Sequence, residues 1–240
     1  MTTLIVGASG ATGRLVVEEL LKRGQAVRIV VRSVERLPKT VKGHANVSVI
    51  EENILDMSDD DLVHLVQGCD AVVSCLGHNL TFQGLFGAPR RLVTDATCRL
   101  CDAIRTNKPI EPVKFVLMSS NGVRNRDLEE PISLAQKCVI GLLRLVLPPH
   151  VDNEKAADYL RMKVGQSDPQ IEWAAVRPDG LVDEADVTDY TIFLSPIRSA
   201  IFDSGTTSRI NVAHFIVKLI DADESWSTWK GKMPVIYNSV

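Results

Sequence analysis

Three glycines stand at even spacing near the start of the chain, in Val6-Gly7-Ala8-Ser9-Gly10-Ala11-Thr12-Gly13. They follow a short apolar run and open a helical pattern, the context in which a glycine loop wraps a pyrophosphate. Gly7 lets the backbone turn off the strand, Gly10 permits close approach of the phosphates, and Gly13 lets the helix pack tightly on the sheet. The first N–H groups of that helix lack partners and carry its positive dipole end. Ser9, Ala11 and Thr12 therefore join the three glycines as expected phosphate-side contacts. In an NAD-selective fold of this kind a carboxylate ends the second strand, about 20 residues further on, and accepts from the ribose 2′-OH. Here that place, nineteen residues after Gly13, holds Arg32, within Arg32-Ser33-Val34-Glu35-Arg36. A guanidinium pairs with a 2′-phosphate, Ser33 can donate to it, and Arg36 offers a second cation. The expected cofactor is NADP(H) in preference to NAD(H).

A second polar group is Ser119-Ser120-Asn121-Gly122, which ends an apolar run at residues 114–118. Ligands of open α/β sheets gather at the carboxyl ends of strands. Ser120 is the candidate to hydrogen-bond a substrate oxygen, a turn-capping serine being the alternative, and Ser119 is assigned to the cofactor side. His150 follows Pro148-Pro149 in what reads as a loop, and it is the candidate proton donor because imidazole titrates near neutrality. An exposed loop histidine is the competing reading. His78 is a second candidate near the cofactor, whereas His44, His64 and His214 fall in patterns remote from it. Cys98 and Cys101 share one helix face and read as half-buried thiols, since zinc requires two more ligands. No metal is expected.

The elements that must position these residues alternate from the start. Strand signals cover residues 4–6, 26–31, 47–50, 71–75, 114–118 and 171–176, and a last one covers 234–237. Helical spacing covers 14–23, 59–66, 91–106, 153–164 and 212–219. Alternation of this kind implies an α/β fold: a doubly wound Rossmann-type parallel sheet with helices on both faces. Two stretches interrupt it, residues 78–89 and 124–150. The second contains Cys138-Val-Ile-Gly-Leu-Leu-Arg-Leu-Val-Leu147, read as a helix packed on the core, a lid over a substrate pocket, or a homodimer surface.

The 240 residues are 45% apolar, enough for one well-buried domain over 1–240, with residues about 180–240 partly forming a cap on the substrate side. With 27 basic and 30 acidic residues the net charge is −3, so no positive field is available for nucleic acid. A small-molecule substrate is the expected partner. The run at 139–147 is too short to span a bilayer. Met1-Thr2-Thr3 leads directly into the first strand with no targeting pattern, and five scattered cysteines fit a reducing, cytoplasmic setting.

The Gly-x-x-Gly-x-x-Gly spacing, the end of the second strand and the spacing of Lys155 to Arg177-Pro178 resemble the short-chain dehydrogenase/reductase superfamily. Within it they resemble the atypical NAD(P)H-binding branch of NmrA-like regulators and biliverdin/flavin reductases. The resemblance spans most of the chain. It implies that Asn53, followed by Ile54, lies by the adenine, and that Cys75, Leu76 and Gly77 run under the adenine-ribose half. It implies too that Pro178 and Leu181 turn over the nicotinamide, that Arg177 holds structure, and that Ser120 matches the catalytic serine. The family lysine, about 22 residues before the Arg-Pro, falls on Lys155, a ribose ligand. The tyrosine position four residues earlier is then Val151, which makes Tyr159-x-x-x-Lys163 a decoy. The resemblance thus implies an NADPH-dependent reductase of a flavin-, quinone- or carbonyl-like acceptor, or an NADP(H)-binding regulator without turnover. An epimerase or dehydratase is less favoured by the short C-terminal region.

Overall fold

The computed structural model describes residues 1–78, 81–130 and 132–239. The first half follows the sequence pattern closely: β1 (Thr2–Val6), α1 (Gly13–Lys22), β2 (Ala26–Val31), β3 (Val47–Glu51), α2 (Asp59–Val66) and β4 (Ala71–Ser74). A short helix α3 (Phe82–Phe86), the long α4 (Leu92–Asn107) and β5 (Val113–Met118) come next. The second half comprises α5 (Leu134–Val146), α6 (Pro148–Tyr159), β6 (Ile171–Pro178), β7 (Gly180–Val182) and β8 (Tyr190–Phe193). It closes with β9 (Thr206–Ser208), α7 (Arg209–Asp221), α8 (Asp223–Trp229) and β10 (Val235–Asn238).

Eight strands form one sheet in the order β3-β2-β1-β4-β5-β6-β10-β8, parallel except for β8, which pairs antiparallel with β10. The order reverses between β1 and β4, so a crevice opens there beyond the carboxyl ends of the strands. Strands buried on both sides must be apolar at nearly every position. On β5, Phe115 and Leu117 join the cluster under α2, α4 and α6, while Val116 joins the one under α1, α7 and α8. Ser58 starts α2 with a reciprocal cap: its hydroxyl accepts from Asp61 N–H at 3.1 Å and Asp61 Oδ2 accepts from Ser58 N–H at 3.2 Å.

Three departures from the sequence expectation bear on the site. Helix α6 begins at Pro148 and not at 153, because the two prolines fill the first helical positions, where a missing N–H costs nothing. His150 is therefore a helical residue. The helix then widens into a π turn, Leu160–Val164, before Gly165 ends it at φ 70°. Helix α5 is not packed into the core: Ile140 is its one buried residue, while Leu142 is 59% and Leu145 83% exposed. It is bent by 104° from α6, and among the described residues no single helix is long and apolar enough to cross a membrane. Finally, of the stretch after residue 180, α7 and β10 belong to the main layers. Gly180, Leu181, Ala200 and Ile201 line a cavity together with residues after β5.

The insertion between β5 and α5 is anchored by Glu130. Its carboxylate takes Arg177 Nη2–H at 2.7 Å and Nη1–H at 3.2 Å, and also accepts Asn125 N–H at 2.8 Å. Arg177 is fully buried, and donates further to the carbonyls of Met233 at 2.7 Å and Val123 at 3.0 Å. It holds structure, as its sequence position implies.

Candidate active site

At the switch point the loop after β1 is built for close backbone approach. Gly7 has φ 81°, and a Cβ there would lie 2.5 Å from the Cys75 carbonyl oxygen. A Cβ on Gly13 would lie 2.2 Å from the Gly7 oxygen, so the first turn of α1 presses directly on the strand end. No side chain caps that turn. The loop forms one wall of a cleft of about 430 Å³ running across the sheet edge.

Most of the residues expected for the cofactor line this cleft: Gly7, Ser9, Gly10, Ala11, Thr12, Arg32, Arg36, Asn53, Ile54, Cys75, Leu76, Gly77, Ser119 and Leu181. Gly13 and Ser33 do not; the first is packed against the strand and the second begins a short 3₁₀ turn at Val34–Arg36. The Arg32 and Arg36 side chains are exposed and make no ion pair among the described residues. Asn53 is partly committed, its amide donating to Asp56 Oδ2 at 2.9 Å. Burial pushes the Cys75 thiol up to about 12, so it is a packing group and not a nucleophile.

Sequence reasoning missed Glu52, Leu92, Met118 and Asn153, which also line the cleft. Asn153 had a signal in retrospect: it is three residues after His150, on the same face of α6. Lys155 needs correction. It is exposed and lines neither this cleft nor the neighbouring cavity. At about 100° per residue it points roughly 140° from His150, on a different face of the helix from the one that lines the cavity. Tyr159 lies at the far end of α4, where its hydroxyl accepts from Arg105 Nη1 at 3.1 Å and donates to Asp102 at 3.3 Å.

His78 is the other residue of note in the cleft. Its Nε2 lies 2.8 Å from Asp152 Oδ2 and its Nδ1 lies 3.2 Å from the Gly84 carbonyl. Asp152, on α6, also accepts the N–H groups of Val93 at 2.8 Å and Thr94 at 2.9 Å. It thereby caps α4 from a neighbouring helix and stabilises its positive end. Burial would raise this carboxyl, but the hydrogen bonds from His78, Thr94 and the two backbone groups outweigh it and hold the carboxyl below its ordinary value.

Ser119 and Leu181 also line a second cavity of about 340 Å³, so the two spaces meet at these residues. Pro178, expected over the nicotinamide, lies in this second cavity with Ser120, Asn121 and His150. Helix α5 contributes Gln136, Ile140 and Leu143 to its lining. The Ser120 hydroxyl oxygen accepts Gly122 N–H at 3.0 Å, which leaves its proton free to donate. A Cβ on Gly122 would lie 3.4 Å from Ser120 Oγ and 3.5 Å from His150 Cε1, so the two side chains flank this glycine. His150 Nε2 stands 3.5 Å from Glu154 Oε1, one helical turn on, and Arg144 of α5 binds the same carboxylate at 2.8 and 2.9 Å. Burial would raise Glu154, but His150 and Arg144 bring it down to about 2. Ser119 Oγ and Asn121 Oδ1 are buried without a hydrogen-bond partner, whereas His150 Nε2 faces the Glu154 carboxylate at 3.5 Å. Two such atoms around one junction point to a ligand site.

A larger hollow of about 700 Å³ opens at the opposite edge of the sheet. Two of its charged residues are already engaged: Asp70 accepts Thr2 N–H and Lys114 binds Asp223 at 3.1 Å. Among the described residues no cluster of His, Cys, Asp or Glu could hold a metal ion. All five cysteines are free thiols.

Comparison with known proteins agrees with this geometry. The family model described as NAD(P)H-binding matches residues 7–223. An uncharacterised chloroplastic protein of Arabidopsis thaliana is 29% identical over 224 residues, 92% of this chain and 72% of the plant protein. Among solved structures, a short-chain dehydrogenase/reductase of Veillonella parvula in complex with NADP has 17% identity and a TM-score of 0.69. The match covers 99% of this chain and 94% of that one. An anaerobillin reductase, ChuY, of Escherichia coli O157:H7 has 18% identity and a TM-score of 0.69 over 99% of this chain and 97% of its own. With its glycine loop inside the matched span and the strand order of that fold, the chain belongs to the NAD(P)H-binding family and has the fold of atypical short-chain dehydrogenase/reductases.

Proposed function

We propose that the protein is an NADPH-dependent oxidoreductase that reduces a small organic acceptor of flavin-, quinone- or carbonyl-like type. The observation that carries this reading is the junction at Ser119: the cleft lined by the glycine loop opens there into a second, polar-tipped cavity. A hydride donor in one and an acceptor in the other would meet at that point. The cradle fits a dinucleotide: Gly7 and Gly10 line the cleft beside the uncapped first turn of α1, and a Cβ on Gly7 or Gly13 would push that backbone out of place. The unpaired Arg32 and Arg36 support NADP(H) over NAD(H), although Glu52 also borders the cleft.

A bound nicotinamide supplies hydride chemistry. The chain's residues orient the acceptor and manage its proton. Ser120 donates to the acceptor oxygen, and His150, in the same cavity, delivers the proton that completes reduction. Per turnover one hydride adds to the acceptor, the C=O or C=N π bond breaks, and one proton reaches its heteroatom. The α5 roof limits access of water. Lys155 has no part in this arrangement.

Purified protein should oxidise NADPH with at least one acceptor from a panel of flavins, quinones and aldehydes. His150→Gln should lower kcat about a hundredfold with NADPH affinity unchanged. A second reading, an NADP(H)-binding regulator without turnover, is favoured by one observation: none of the three tyrosines lines either cavity. Tight NADPH binding with no acceptor turned over would make that reading the better one. The free thiols favour a reducing compartment such as the cytoplasm.

A further inference from the structure

The two cavities differ sharply in charge. The cofactor cleft presents two unpaired guanidinium groups, whereas no lysine or arginine lines the second cavity among the described residues. Its wall instead contains a buried carboxylate, Asp179, held by neutral donors: Asn121 Nδ2 at 3.0 Å, Gly205 N–H at 2.9 Å and Gly180 N–H at 3.0 Å. The nearby cations are spent elsewhere. Arg144 is paired with Glu154, Arg198 with Asp203 at 2.6 Å, and Arg177 with Glu130. Any charge on His150 faces the Glu154 carboxylate.

Asn121 gives both its recorded N–H bonds to Asp179 and to the Tyr237 oxygen at 3.3 Å, so its buried Oδ1 remains an unused acceptor. Ser120 retains a free hydroxyl proton. The rest of the wall is apolar, with Ile140, Leu143, Leu181 and Ile201 around the space. A carboxylate, sulfonate or phosphate placed here would be buried beside Asp179 with no lysine or arginine in the cavity wall to meet it, which is costly.

We propose that this cavity selects an uncharged acceptor with a flat apolar body and a carbonyl oxygen, and rejects anionic acceptors of the same shape. The inference rests on reading the cavity as the acceptor site. Ser120 grips the carbonyl oxygen, and the aliphatic wall holds the body. Asp179 supplies the discrimination, as a buried carboxylate hydrogen-bonded by neutral donors, with the nearby Arg198 bound to Asp203, that repels a second negative charge.

The test uses two isosteric aldehydes, 4-nitrobenzaldehyde and 4-carboxybenzaldehyde, which differ by one charge at nearly constant shape. Binding to the full chain loaded with NADP is measured by calorimetry, and NADPH oxidation is followed separately. The nitro compound should bind at least tenfold more tightly than the carboxylate. Gln136→Arg places a cation on the α5 roof and should narrow that gap at least threefold by recovering the carboxylate, with NADPH affinity unchanged. Equal or tighter binding of the carboxylate by the native chain overturns the proposal, as does failure of both aldehydes to bind. Selective binding without NADPH oxidation keeps the proposal and removes the reductase reading. Equal turnover of both compounds keeps the reductase reading and removes the proposal.

Discussion

His78 Nε2 and Asp152 Oδ2 meet at 2.8 Å beneath the cofactor cleft, with side chains only 6% and 0% exposed. The same carboxylate caps α4, so one residue of α6 ties together the loop after β4, the start of α4 and its own helix. Asp152→Ala would leave two helix N–H groups and a buried ring nitrogen unpaired. It should cost about 3–5 kcal/mol of stability, read from denaturant unfolding at constant slope. A loss below about 1 kcal/mol would mean that water replaces the carboxylate and that the tie is loose.

The Glu154 carboxyl is lowered from the usual 4.5 to about 2 in the folded chain. A carboxyl lower in the folded than in the unfolded state binds fewer protons when folded, so it contributes stability above about pH 4.5 and loses it as pH falls towards 2. The Tm difference between the native chain and Glu154→Gln should be largest near neutral pH and shrink across that window. A pH-independent difference would show that the contact is steric and not ionic.

Arg32→Ala should raise the NADPH Kd by about ten- to a hundredfold while NADH changes by less than about twofold. Equal weakening of both coenzymes, measured by titration calorimetry, would show that Arg32 does not read the 2′-phosphate.

Lys155→Ala should leave NADPH affinity and turnover within about twofold, since the side chain faces solvent away from both cavities. Tyr159→Phe should likewise spare activity and cost about 1 kcal/mol through the lost hydroxyl contacts with Arg105 and Asp102. Abolished activity in either variant would place that residue in the site after all.

The parallel strands were legible because burial on both faces demands continuous β-branched and apolar runs, as in Ala26–Val31. The phosphate loop was legible because its glycines answer to backbone crowding that no other residue tolerates. What failed was the start of α6. Pro148-Pro149 reads as a break, yet proline is favoured where a helix starts, so the sequence places His150 in a loop, while Lys155 follows from the family spacing to Arg177 and not from helix phase. Helix α5 is apolar on most sides, and such a pattern does not say which side meets the protein. Only tertiary placement shows that Gln136, Ile140 and Leu143 face inward. Asp152 left no local signal, because the helix end it caps, at Val93, lies 59 residues away from it in sequence.

The seating of Glu130 on Arg177 sets a boundary for anyone who would remodel the roof of the second cavity. Residues 126, 127 and 129 are exposed, so additions there should be absorbed by solvent-facing backbone. A deletion reaching 130 abandons a guanidinium inside β6 and threatens the whole molecule. Roofs borrowed from other proteins must therefore be spliced in after residue 130, which leaves α5 as an exchangeable module on an otherwise committed scaffold.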